Sequence, residues 1–336
     1  MTDQNIVRAQ SIADLLAAIP ARFGFTPKDS AAVVCVRGAR VGLMARIDLT
    51  DLTHEAAGMI ASAATREQAT AAVVVAYTDD ADQASEAVNT LTEALHGQAI
   101  DVCDAQQVTR TEYRDLFTGT PARPLSELQC TVVAAEYVAR GVAVAEDLAA
   151  TLPQPASQTA QDKARRAAAK HAQDTADDPT RFALATWRLA TTGLVVGADA
   201  YGHLAQMITH PANRDAFLAC LTEDSDSTAP EDIIKGTDEE GTRRVALALV
   251  GDPDQAKTPG EDVEAAVDLL AQVIGHTPDS ADAWAFWALL KWWQGKGPQA
   301  RSAMERALDL DPHQNMARIL SMPIAAGYGP AWTRLA

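Results

Sequence analysis

The sequence predicts an α/β unit followed by an all-α one: an N-terminal mixed sheet with packed helices over residues 1–150, and a C-terminal helical domain with a short repeat over 151–336. Three observations carry this. Strand-like apolar runs alternate with alanine-rich helical stretches as far as Ala105, strand signals fade from Cys130 onward, and 336 residues give room for two cores. The chain is 47% hydrophobic but only 5% aromatic, and much of the hydrophobic count is alanine. Alanine favours helix and buries little area, so each core depends on a few large side chains.

Ser11 caps a first helix in which Ile12, Leu15, Leu16 and Ile19 recur at helical spacing, and Pro20 is expected to close it. Gly24 to Ser30 (GFTPKDS) has turn chemistry and leads into the strand run Ala31–Arg37. Gly38-Ala39 offers a tight reversal, and Val41 to Leu49 reads as the partner strand of a hairpin, ending at Asp48. Thr53 to Glu67 is helical, and the continuous apolar run before Asp79 and Asp80 fits a buried strand. Asp82 to Leu95 is a second amphipathic helix, stopped by Gly97, and Ala99 to Ala105 is a further strand. Helices crossing between strands imply a mixed sheet with helices packed on it.

Around Leu152 to Pro155 the chain reads as a linker. Asp177 to Phe182 (DDPTRF) is expected to open a helix carrying Trp187 and Leu189, with proline at its first position. Glu223 to Glu240 holds eight acidic residues against Lys235 alone, with small and turn-forming residues between, and reads as a mobile acidic loop. Thr258-Pro259-Gly260-Glu261 is expected to form a capping box.

Ala281 to Pro312 places Trp284 early in one helix, Gly295 at a turn, Ala300 and Ala307 on a second helix and Pro312 after it. Pro278 and Pro312, Ala266 and Ala300, and Leu270 and Met304 are each 34 residues apart. This spacing resembles a tetratricopeptide repeat over 260–316. One complete repeat and part of another cannot stand alone, so the hairpin must pack on the preceding helices. Trp284, Trp287, Trp292 and Trp293 are either packing residues or, as partner-binding candidates, the lining of a recognition groove.

The charge balance, 28 Lys and Arg against 45 Asp and Glu, is a net −17. It argues against a broad nucleic-acid surface and against attraction to anionic membrane. No apolar run reaches membrane-spanning length, and no signal peptide is expected because acidic Asp3 precedes a short apolar stretch, Ile12 to Ile19, that Asp14 interrupts. Cys35, Cys103, Cys130 and Cys220 lie far apart without paired metal-ligand spacing, which is the pattern of reduced thiols and points to the cytoplasm.

Ligands favour strand ends in an open sheet, so Arg46, Asp48, Asp79, Asp80 and Asp104 are the candidate catalytic cluster. Such carboxylates could hold magnesium for phosphoryl chemistry, but an acid ending a strand more often caps the next helix or sits in solvent. The seven histidines show no metal-ligand pairing, no phosphate-binding glycine loop or nucleophile elbow follows a strand, and no metal or cofactor is assigned. Lys163, Arg165, Arg166 and Lys170 form a basic helical stripe that could face solvent, an acidic partner or the segment 223–240.

Several blocks together resemble an actinobacterial family of uncharacterised proteins, domain of unknown function 4192. They are LLAAIPARFGFTPKDSAAVV, RIDL (Arg46 to Leu49), AYTDD (Ala76 to Asp80), NRD (Asn213 to Asp215), GKGPQARSAMERALDLDP and GPAW (Gly329 to Trp332). The resemblance implies a soluble cytoplasmic protein and transfers no catalytic residue. The leading expectation is a non-enzymatic interaction or scaffold protein with a protein partner or homo-oligomeric contact. The alternative is a metal-dependent hydrolase or nuclease using Asp48, Asp79 and Asp80.

Overall fold

The computed structural model describes residues 9–38, 40–222, 227–251 and 256–335. Contacts divide the chain into two units, Met1–Thr151 and Leu152–Ala336.

The first unit runs α1 (Ile12–Phe23), β1 (Ser30–Arg37), β2 (Arg40–Asp48), α2 (His54–Arg66), β3 (Ala71–Tyr77), α3 (Ala81–His96), β4 (Asp101–Val108), β5 (Glu112–Asp115), β6 (Arg123–Pro124), α4 (Ser126–Gln129) and α5 (Val132–Ala139). The strands form one six-stranded sheet in the order β2-β1-β3-β4-β5-β6, parallel between β3 and β4 and antiparallel elsewhere. The two-residue side-chain period of a strand splits the buried residues cleanly. Ala31, Val33, Ala72 and Val74 pack with α2 and α3 on one face, while Ala32, Val34, Val73 and Val75 pack with α1 on the other. Being covered on both faces is why β1 and β3 read as unbroken apolar runs.

Pro20 does not end α1. The helix continues through it to Phe23 and stops at Gly24, whose φ of 84° is the left-handed region that favours glycine and whose N–H returns to Pro20 O. Burying Phe23 outweighs the one backbone bond that proline forgoes. β4 extends three residues beyond Ala105, and β5 and β6 were not foreseen, because their residues are polar.

The second unit contains α6 (Gln158–Asp174), α7 (Ala183–Thr191), α8 (Ala198–Ile208), α9 (Pro211–Thr222), α10 (Ala229–Ile234), α11 (Glu239–Val250), α12 (Glu261–His276), α13 (Ala281–Trp293), α14 (Gly297–Leu310) and α15 (Asn315–Ala325). α13 is central: it is apolar around its whole circumference and packs against α8, α12, α14 and α15. Gly295, at φ 74°, turns the chain from α13 into α14.

Three local expectations are corrected here. DDPTRF is a turn, with the Asp178 carboxylate accepting from Thr180 N, and α7 begins only after Phe182 at φ 65°. The acidic segment is not one loop: Glu223 to Asp226 lies outside the described residues, but 229–234 is helical and Asp238 caps α11 by accepting from Gly241 N at 2.7 Å. α12 starts from Gly260 without a side-chain cap, so the Thr258 capping box does not form.

Candidate functional site

At one end of the sheet the register brings Ser30 opposite both Asp48 and Tyr77. Arg46, two residues before Asp48 on the same face, stacks its guanidinium 5.5 Å from the Phe25 ring centre. Its Nη2 donates to Asp48 Oδ1 at 2.7 Å and to Lys28 O at 3.4 Å. The Arg46 side chain is only 9% exposed, against 49% for Asp48, so the pair is a buried cation held by a carboxylate at the surface. Three buried polar atoms on this face lack a protein partner: Ser30 Oγ, Arg46 Nε and Tyr77 OH. Burial pushes the Tyr77 hydroxyl well above the usual phenol range, which keeps it a neutral donor.

The other strand-end acids are engaged separately. Asp79 accepts from Arg110 N at 3.0 Å and from Arg110 Nε at 2.5 Å. The backbone bond, then the guanidinium, holds its carboxyl below the usual range. Asp80 caps α3, its Oδ1 accepting from Asp82 N at 2.9 Å and Gln83 N at 3.1 Å. Asp104 sits opposite Val73 rather than Tyr77, so it lies four residues, about 13 Å, back from the strand end. Of the sequence candidates, the structure directly pairs Arg46 with Asp48. Among the described residues, no group of three or more His, Cys, Asp or Glu is placed to hold a metal ion.

Sequence reasoning missed Gln106 and Gln107, both buried. Gln107 Nε2 donates to Thr78 O at 2.9 Å and its Oε1 accepts from Arg114 Nε at 2.7 Å, tying the ends of β3, β4 and β5 together. Two glutamines directly after an apolar strand were the available signal.

In the helical unit, Trp284, Trp287, Trp292 and Trp293 are all buried. Three indoles donate to backbone carbonyls: Trp284 to Pro278 O at 3.1 Å, Trp292 to Tyr328 O at 2.9 Å and Trp293 to Lys257 O at 3.0 Å. They carry the area an alanine-rich core otherwise lacks. The NRD block is also structural: Asn213 Nδ2 donates to Met207 O at 2.9 Å, and Arg214 donates to Asp282 at the start of α13 and to Ile208 O. The basic stripe on α6 is matched from nearby, Lys163 by Asp199, Arg165 by Asp162 and Asp279, and Lys170 by Asp174. Glu231, Asp238 and Glu240 pair instead with Arg188, Arg244 and Arg243.

Cavities lined by described residues open in this unit. One, ≈ 410 Å³, is lined by Trp187, Arg188 and Cys220, and burial raises the Cys220 thiol, leaving it a poor nucleophile. Another, ≈ 460 Å³, is lined by Glu264, Asp268, Lys291 and Trp332.

These features define a two-unit protein, a mixed α/β sheet with a helical C-terminal unit, whose buried polar groups serve mainly to join its elements. The chain belongs to the family described as Domain of unknown function (DUF4192), which matches residues 13–331. No curated protein and no solved structure matches it. No helix among the described residues is long and apolar enough to cross a membrane.

Proposed function

We propose that this chain is a non-enzymatic interaction protein that pairs with a second copy of itself through α15. The supporting observation is the outer face of that helix. Ala317 and Leu320 are buried, while Ile319 and Met322, one turn apart, are 61% and 71% exposed. In stacked helical hairpins each apolar face is covered by a neighbouring unit. On α15, Ile319 and Met322 stand exposed beside Arg318. A two-fold contact lets the same stripe cover itself, since an isologous interface is self-complementary.

The stack reads as tetratricopeptide-like. Ala266 and Ala300, 34 residues apart, are both fully buried, as the close approach of paired helices requires. The hydrolase alternative gains nothing from the strand-end acids, because Asp79 is spent on Arg110 and Asp80 on capping α3. Four free thiols fit a reducing, cytoplasmic setting.

Light scattering on size-exclusion fractions tests the reading. Wild-type protein is expected to have twice the chain mass, and Ile319→Glu/Met322→Glu the single mass with an unchanged circular dichroism spectrum. A wild-type protein that stays at 35.6 kDa at every concentration overturns it.

A further inference from the structure

The ≈ 460 Å³ cavity of the helical unit contains an amine placed for chemistry. Its volume falls within the range of small-molecule sites. Its walls come from separate segments, two of them tied to Trp293. The strap at Thr258 to Gly260 follows Lys257, whose carbonyl accepts from Trp293 Nε1 at 3.0 Å, and Trp332 is fixed by donating to Trp293 O at 2.6 Å. Lys291 enters from α13, its Nζ lying 5.1 Å from the Trp287 ring centre. Among the described residues, no carboxylate oxygen stands within ion-pair distance of this Nζ, although Glu264 and Asp268 line the same cavity from one face of α12. Desolvation lowers the Lys291 ammonium below the usual lysine value, against the pull of Asp268 and Glu264. An amine that is desolvated, open to a cavity and without a salt bridge is the arrangement in which lysine becomes a nucleophile.

We propose that this cavity binds a neutral, carbonyl-bearing small molecule, with Lys291 Nζ as the amine that captures it as an imine. The ammonium loses a proton to solvent water in the open cavity, and the freed lone pair attacks the carbonyl carbon while the C=O π pair moves to oxygen. A proton shifts from nitrogen to that oxygen. A proton from solvent then reaches the hydroxyl, which leaves as water as the C=N bond forms. One carbonyl and one ammonium thus give one iminium and one water, with no oxidant or reductant. The iminium keeps the single positive charge that the two carboxylates face. With Lys291 neutral, Glu264 and Asp268 outnumber Lys296 in the lining, which selects against anionic carbonyl compounds.

The test is reductive alkylation of the full chain with propionaldehyde and cyanoborohydride at neutral pH, read lysine by lysine by peptide mass mapping. A lowered amine holds a larger free-base fraction at neutral pH, so Lys291 is expected to react faster than any other lysine. The preference should vanish in urea, weaken with glyoxylate as the probe, and grow in Glu264→Gln/Asp268→Asn, which removes the two carboxylates that hold the ammonium up. Lys291 reacting at or below the rate of the exposed lysines in the folded protein overturns the proposal, and so does a preference that persists in urea. Faster capture of glyoxylate than of propionaldehyde overturns its choice of ligand. Self-association has no part in this readout, so the two proposals fail separately.

Discussion

Replacing Arg214 should unfasten the helical unit. The Arg214 guanidinium bonds Asp282 in the first turn of α13 and, at 3.1 Å, the Ile208 carbonyl at the end of α8, while Gln314 Nε2 adds a second donor to Asp282 Oδ1 at 3.1 Å. The side chains are 10% and 29% exposed, so the pair is shielded but Asp282 keeps some water. Arg214→Met fills much of the volume yet leaves Asp282 and the Ile208 carbonyl short of a donor. Removing one partner of a fully buried pair costs about 3–5 kcal/mol, and the residual hydration of Asp282 and its bond from Gln314 bring the expected loss to about 3 kcal/mol. At about 2–4 °C per kcal/mol for a unit of this size, the midpoint of thermal unfolding followed by circular dichroism should fall by about 6–12 °C. In Arg214→Met/Asp282→Met the uncompensated carboxylate is gone, so the double variant should be more stable than the sum of the single ones implies. A shift under about 2 °C for Arg214→Met, or strict additivity in the cycle, would refute the assignment of Arg214 as the clasp between these helices.

Three further outcomes follow from local geometry. A Cβ at Gly202 would lie 2.0 Å from the Ala164 carbonyl oxygen, a backbone atom that no rotamer change can move, so Gly202→Ala should push α8 off α6 and lower urea stability by about 3 kcal/mol or more; an unchanged midpoint would mean the helices do not cross this closely. Burial and then the neighbouring His203, only partly offset by Asp174, lower His171 below its ordinary 6.5, so the folded state binds fewer protons than the unfolded one. Stability is therefore complete above pH 6.5 and is lost as pH falls through the lowered value, a slope that His171→Gln should flatten in urea midpoints taken between pH 7.5 and 5. Asp80→Ala should cost about 1 kcal/mol and Asp80→Ser much less, as befits a helix cap; equal losses in chemical denaturation would contradict that role.

The first-unit elements were legible where period and composition agreed. β1 and β3 are apolar on both faces because both are covered, and the amphipathic run from Asp82 to Leu95 announced α3. What stayed hidden depends on partners distant in sequence. Gln106 and Gln107 look like loop residues until Asp104, Thr78 and Arg114 satisfy their amides inside the sheet. Glu231 looks like part of an acidic tether until Arg188, 43 positions away, holds it against a helix. The strand-end acids were legible as residues but not as roles, since a carboxylate's spacing does not say whether a helix amide or a guanidinium will occupy it. Lys291 was the least visible: Glu264 and Asp268 are an ordinary surface pair by spacing, and only the packing of α12 on α13 brings an unpaired amine to them.

Hydrogen exchange followed by mass spectrometry at protein concentrations spanning the self-association range addresses the α15 contact most directly. The account predicts that Asn315–Ala325 becomes more slowly exchanging as concentration rises, while Ala81–His96 is unchanged, and that Ile319→Glu/Met322→Glu abolishes the difference. Exchange in α15 that is independent of concentration, or protection that appears elsewhere and not there, would contradict it.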